Sequence, residues 1–290
     1  MIIVTGATGQ LGRGVVESLL GRVPAEQIGV SVRVPEKATD LAERGVRVRR
    51  GDFTDPASLA HAFEGASTVL VVSSDSSGES AVDQHRAAIE AAVTAGAGRV
   101  VYTSHMGSHP SSPFPPMPDH AATEELLRES GVGFTVLRNG FYAATAVMLL
   151  GDAVETGELA LPEDGPVAWT AHSDLAEAAA LALRTDDLVG VTPALTAPEA
   201  IDMAGVADIA AELTGRPIRR IVVSDAEHRS ALLARGLPEP AADMLVCLFA
   251  ASRDGDFAPA DPALAHLLGR PPVSVRDVLR TSLAPATMTG

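Results

Sequence analysis

The first dozen residues, MIIVTGATGQLG, constrain this chain more than any other stretch. A short apolar run from Ile2 to Val4 stops at Thr5 and gives way to glycines at positions 6, 9 and 12. The GVVESLL segment behind them has helical periodicity. Strand, tight Gly turn and helix, in that order, are what a dinucleotide-binding βα unit requires. Gly6 permits the turn, Gly9 leaves room for a pyrophosphate, and Gly12 lets helix and strand pack closely. Thr8, Gln10 and Leu11 complete the turn. The phosphates are expected against backbone N–H groups there, because a helix N-terminus favours negative charge. A Gly-rich turn can open any α/β domain, but the TGATG wording right at the start of the chain favours the cofactor reading.

With 290 residues, the chain can form one large domain or a dinucleotide domain with a smaller partner. Its apolar runs are too short for a membrane span of roughly 18 residues, the longest candidate being AATAVMLL ending at Leu150. Met1 leads straight into a strand without a charged leader region, so no signal peptide is expected. Cys247 is the only cysteine, which rules out an intramolecular disulfide and a thiolate metal cluster within one chain and fits a cytoplasmic location. A net charge of −15 argues against nucleic acid or an anionic membrane as partner.

Beyond the first unit, QIGVSVRV reads as a second strand ending near Arg33 and PEKATDLAERG as a short helix. VRVRRGD is a third strand, and DPASLAHAFEG a helix with Asp55 as N-cap and Gly65 as its stop. STVLVVSS and RVVYTS are buried strands flanking the helix ESAVDQHRAAIEAAVTAG. This alternation predicts an α/β fold: a doubly wound Rossmann parallel sheet in the order 3-2-1-4-5-6. The stretch from His105 to Asp119 is too rich in Pro and Ser for a regular element and is expected to border the ligand crevice. HAATEELLRESG is the next helix and VGFTVLRNG the sixth strand.

Regular alternation weakens after Phe141. A helix through Leu150, strands at Leu159 to Leu161 and Val167 to Thr170, and the Ala-rich helix SDLAEAAALALR capped by Ser173 or Asp174 follow. That helix is expected to return to the main sheet. Later come GVADIAAELTG, the strand RPIRRIVV, helices at EHRSALLARG and PAADMLVCLFAA, and two terminal helices around a Gly-Arg-Pro-Pro turn. The expected division is a Rossmann domain over 1–140, with a return segment at about 167–197, and a smaller α+β substrate-binding domain over most of 141–290.

TGATGQLG, the arginine ending strand two, QHRAAIEAA, VVYTS, LRNGFY and LLGRPPVSVRD together resemble the NmrA-like atypical short-chain dehydrogenases, and within them the quinone oxidoreductase type 2 branch. The resemblance spans the chain and is weakest from Ala143 to Trp169 and around Met203. It implies an NADP(H)-binding enzyme that reduces quinones, or a sensor of redox state.

Arg33 is the residue expected to choose the cofactor. An acid after strand two takes the adenosine ribose hydroxyls of NAD, whereas arginine takes the 2′-phosphate of NADP. Arg33 and Lys37, the only lysine, lie at that position. NADP(H) is therefore expected; NAD(H) stays compatible because Glu36 is near and arginine also stacks on adenine. Asp52 and Phe53 match adenine-contacting positions of the resembled family, although Phe53 also suits a core. Ser73 and Ser74 end strand four, and Thr103 and Ser104 end strand five, where backbone or hydroxyl groups would meet the cofactor or cap helices.

The better-known short-chain dehydrogenases use a YxxxK acid on the following helix. Here His120 and Glu124 have that spacing, so the Tyr–Lys acid is missing. Hydride transfer to an electron-poor quinone needs less proton assistance, and positioning supplies most of the catalysis. His120, Ser104 and Tyr142 are the catalytic candidates. Asn139, Gly140 and Phe141 match the nicotinamide side; Phe141 and Tyr142 also suit a core. His105, His109, His120 and His172 lack a recognised metal-ligand spacing, so no metal is expected.

These features predict an NAD(P)H-dependent reductase of a small aromatic or quinone substrate. The alternatives are a tailoring reductase or cofactor-assisted oxygenase of a polycyclic aromatic quinone, and a catalytically silent NADP sensor. Neither nucleic acid nor membrane is an expected partner, and a homodimer is left open.

Overall fold

The computed structural model describes residues 1–284 of the chain, so 285–290 of the expected C-terminal region lie outside it. The first half alternates as predicted: β1 (Ile2–Thr5), α1 (Gln10–Leu20), β2 (Ile28–Val32), α2 (Thr39–Glu43), β3 (Arg47–Arg50), α3 (Pro56–Phe63), β4 (Thr68–Val71), α4 (Glu79–Thr94), β5 (Arg99–His105), α5 (Pro116–Glu129) and β6 (Gly133–Asn139). Then follow α6 (Ala143–Leu150), α7 (Ala153–Thr156), β7 (Glu158–Pro162), α8 (His172–Ala182), β8 (Gly190–Leu195), α9 (Met203–Thr214), β9 (Arg219–Val223), α10 (Asp225–Ala234), α11 (Glu239–Arg253), α12 (Ala263–Leu268) and α13 (Val275–Leu283).

The main sheet is parallel with seven strands, ordered β3-β2-β1-β4-β5-β6-β8. This is the Rossmann order 3-2-1-4-5-6 with one further strand beside β6. Side chains of a strand alternate between faces, and β1 shows it: Val4 packs with α1 and α8 on one face, Ile3 with α3 and α4 on the other. Both faces are covered, which is why the central strands read as continuous apolar runs. Edge strand β3 instead carries arginines. Arg47 donates to the carbonyls of Ala62 and Glu64 and Arg49 to that of His61, so both satisfy the free carbonyl end of α3. At the other end of α3, Asp55 caps as expected, accepting from the Ser58 N–H at 3.3 Å.

A second apolar cluster gathers Phe114, Phe141, Trp169, Phe249 and Phe257 with α6, α9, α11 and α13. The strands β7 and β9 pair with each other in a separate parallel two-stranded sheet, as neither has a neighbour in the main sheet. Trp169 is buried, and its indole N–H donates to the Ile201 carbonyl at 3.0 Å.

Several sequence expectations are corrected. Helix α5 starts at Pro116 rather than near His120, because proline is tolerated in a first helical turn, where its missing N–H costs nothing. Residues Val167 to Thr170 make isolated bridges to Ile201 and Tyr142 instead of a strand. Neither Ser173 nor Asp174 caps α8; Ala171 stands at its N-cap. Asp174 is wholly buried, accepting from Arg270 at 2.8 Å and from the Val273 N–H at 2.6 Å.

Candidate functional site

The Gly turn sits at the carboxyl edge of the sheet, where an open parallel sheet binds ligands. Gly6 has φ +63°, a conformation that only glycine adopts without strain. Its N–H donates to the Ser31 carbonyl at 3.2 Å, tying the turn to β2. A Cβ on Gly12 would overlap the Gly6 carbonyl, so this glycine lets α1 pack onto the turn. A Cβ on Gly9 would meet only the Gly6 oxygen, at 3.4 Å, and otherwise open space. Gly9 is also the N-cap of α1, which has neither a side-chain cap nor an acid in its first turn. Its first amides are therefore left for an outside acceptor.

In front of this turn lies a cleft of about 480 Å³. Gly6, Thr8, Gly9, Arg33, Asp52, Phe53, Ser73 and Ser74 line it together. Gln10, Leu11 and Gly12 stand behind it in the first turn of α1. Lys37 lies outside the lining, on the short turn Pro35–Ala38. Asp52 is held below the usual carboxylate range by the Thr54 N–H, at 2.9 Å, and the Thr54 hydroxyl, at 2.8 Å. Two buried threonines shape the floor: Thr5 accepts from the Val72 N–H and Thr103 from the Ser73 N–H, each at 2.9 Å.

Sequence reasoning missed Ser31, Asp75 and Gln84, which also line the cleft. Ser31 carried a usable signal as the lone polar residue of an apolar strand, IGVSV. Its hydroxyl is buried without a partner. Asp75 and Gln84 gave none, since only the path of the chain after β4 brings them there.

Beside the cleft, β5 divides its side chains. Thr103 faces the α1 side with Val101, and Tyr102 and Ser104 face α4 and α5. The Ser104 hydroxyl donates to Glu124 at 2.7 Å, and Glu124 is buried in a bidentate pair with Arg138, at 2.7 and 3.0 Å. Arg138 and Ser104 keep Glu124 low in pKa against the opposing effect of burial, its largest influence. Ser104 and Glu124 thus form a closed structural network rather than an acid pair with His120. His120 instead meets the Tyr102 hydroxyl through Nδ1 at 2.7 Å. Burial pushes its pKa down to about 4.

At the end of β6, Asn139 is buried and neither polar atom of its amide has a hydrogen-bond partner. In register it stands opposite His105. Gly140 packs so closely on Thr170 that a Cβ would overlap the hydroxyl. Phe141 is 6% exposed and meets His105, Phe257 and Trp169 edge-on, so it packs the second cluster. Tyr142 stacks on His172 at 4.0 Å, and burial raises its pKa. Among the described residues no group of His, Cys, Asp and Glu is arranged to hold a metal, and no helix is long and apolar enough to cross a membrane.

The cleft fits a dinucleotide. It offers an uncapped helix start, a glycine at that start whose missing side chain leaves the space in front of the first amides open, and an unpaired hydroxyl at Ser31, and the unpaired amide of Asn139 lies further along the sheet edge.

The family model described as NAD(P)H-binding matches residues 6–186. Quinone oxidoreductase 2 of Escherichia coli (strain K12) is 36% identical over 281 residues, 96% of either chain. An NmrA-like family domain-containing oxidoreductase of Aspergillus flavus is 31% identical, covering 97% of this chain and 94% of its own. The crystal structure of the Escherichia coli NADPH-dependent quinone oxidoreductase complexed with NADPH superposes with a TM-score of 0.92. It is 34% identical and covers 97% of this chain and 99% of that one.

Proposed function

This chain belongs to the NAD(P)H-binding family, in its NmrA-like oxidoreductase branch, and we propose that it reduces quinone-type aromatic substrates by direct hydride transfer. It is an NAD(P)H-dependent oxidoreductase. The observation that carries the finer reading is His120, bonded to Tyr102, beside the aromatic wall of His105, Phe141 and Phe257 at the sheet edge that holds the Gly turn. A Tyr–Lys acid is not available, because the one lysine is Lys37, on the turn after β2.

When bound, the nicotinamide supplies the hydride. The α1 amides and Gly9 hold the pyrophosphate, and Arg33 takes the 2′-phosphate, which favours NADP(H) over NAD(H). Asp52 and Phe53 flank the adenine. Ser73 and Ser74 meet the cofactor through backbone and hydroxyl groups, and the Asn139 amide takes a polar group of the nicotinamide. Ser104 acts through Glu124 and not on the substrate, and Phe141 shapes the wall from within the core.

Residues 1–140 with about 167–197 form the cofactor domain, and most of 141–290 the substrate side. A quinone plus one hydride and one solvent proton gives the hydroquinone, so His120 need only orient the accepting oxygen.

The test is NADPH absorbance decay with a small quinone, a polycyclic quinone and a simple ketone. Turnover with quinones and none with the ketone is expected. Activity confined to the polycyclic quinone points to a tailoring enzyme, and tight NADPH binding without any quinone turnover points to a sensor.

A further inference from the structure

We infer that Tyr102 and His85 are positioning residues that lock His120 in a single tautomer, with its proton on Nε2 as the hydrogen-bond donor offered to a substrate oxygen. The Ser74 N–H can only donate, and it points at His85 Nε2 from 2.9 Å. That nitrogen is therefore the unprotonated one, and in the neutral ring the proton sits on Nδ1. His85 is buried on α4, and burial holds its pKa down to about 3, so the ring is neutral. The Nδ1 proton goes to the Thr123 hydroxyl at 2.9 Å, and that hydroxyl in turn donates to the Asp119 carbonyl at 2.8 Å.

Tyr102, also fully buried, has two nitrogens within reach of its hydroxyl: His85 Nδ1 at 3.5 Å and His120 Nδ1 at 2.7 Å. The first already carries a proton and cannot accept. The Thr123 hydroxyl also bears on the phenol, but it is already engaged with His85 Nδ1 and the Asp119 carbonyl, so the phenol hydrogen goes to His120 Nδ1, the short partner at 2.7 Å. His120 is neutral as well, so its proton is on Nε2. That nitrogen has no partner among the described residues, and the ring lies against His105 with centroids 6.2 Å apart. A neutral imidazole N–H oriented in this way polarises a carbonyl oxygen without giving up its proton, and solvent protonates the product.

The tautomer assignment stands on hydrogen-bond geometry between rings that burial keeps neutral, and its effect on rate rests on the quinone-reductase reading. The experiment is long-range proton–nitrogen NMR of ring-labelled histidine in the full chain near neutral pH, with His120→Gln to assign the signal. The same samples are assayed by quinone-dependent NADPH oxidation. Wild type should show His120 protonated at Nε2 and bare at Nδ1. Tyr102→Phe should give a mixture of both tautomers and a kcat lower by about tenfold, the worth of one hydrogen bond. The KM and the calorimetric Kd for NADPH should stay unchanged, which also shows that the variant is folded. A proton on Nδ1 in the wild type overturns the assignment, as does an identical nitrogen pattern in Tyr102→Phe. A shifted pattern with unchanged kcat overturns the positioning role. If no quinone supports NADPH oxidation by the wild type, the reductase reading fails, and the nitrogen shifts alone then uphold or overturn the tautomer.

Discussion

Arg33 and Asp75 face each other across the mouth of the cleft, the guanidinium Nη2 lying 3.4 Å from the carboxylate Oδ2. Both are largely exposed, at 69% and 78%, so the pair itself is worth little. An incoming 2′-phosphate would take the arginine, and Asp75 would then stand beside it as a like charge. Arg33→Ala should weaken NADPH binding by about 10- to 100-fold while leaving NADH nearly unchanged. Asp75→Asn should tighten NADPH by about three- to fivefold at low salt. Calorimetric titrations with both cofactors check this, and equal losses for NADPH and NADH in Arg33→Ala would remove the arginine from the phosphate site.

The two glycines of the turn separate folding from binding. Gly9→Val should leave the unfolding midpoint within a few degrees of wild type and abolish NADPH binding, because its side chain would project into the open space proposed for the pyrophosphate. Gly12→Ala should lose stability first, since its methyl group meets backbone. Thermal melts paired with titrations give both readouts; a Gly9→Val protein that binds with wild-type affinity would contradict the site.

Phe141→Ala should act on stability before catalysis. The ring is buried among Trp169, Phe257 and His105, and truncating such a phenylalanine costs about 3–5 kcal/mol. Urea denaturation measures this. A loss below about 1 kcal/mol would mean the ring faces a ligand space rather than a core.

Acid should destabilise the fold through three histidines, His85 buried and His105 and His120 half-buried. His85 and His105 are held down to about 3 and His120 to about 4 by burial, against an ordinary value of 6.5. Between those values the unfolded chain binds more protons than the folded one, so unfolding becomes more favourable as pH falls. The stability these neutral rings contribute is complete above 6.5 and drains away toward 4. Calorimetric melts from about pH 7 to about pH 4.5 should show a falling midpoint; a midpoint constant over that range would mean the rings are solvated.

The Gly turn and the strand order were legible because each rests on local chemistry: glycines where a turn demands them, and apolar runs where strands are covered on both faces. The added strand β8 was hidden by Pro193. Proline interrupts a ladder everywhere except at an edge, and β8 is an edge. The start of α5 was hidden in the same way, its prolines reading as loop. What the sequence could not carry were partnerships across distance. Ser104 looked like a free catalytic group until Glu124, paired with Arg138, took its hydroxyl, and Asp174 looked like a cap until Arg270, 96 positions away, claimed it. Tyr102 carried no signal beyond ending a strand, because its meaning depends on which hydrogens His85 has already spent.

The route of the chain after β6 crosses repeatedly between the two apolar clusters: α6 and β7 belong to one, α8 and β8 return to the sheet, α9 and α11 leave again, and α12 comes back before α13. The two halves are sewn together rather than joined end to end. No single cut releases the aromatic side as a cassette, since stopping the chain after β7 would also strip the sheet of its outer strand. Lineages built on this plan would change substrate by altering side chains in place, not by exchanging modules.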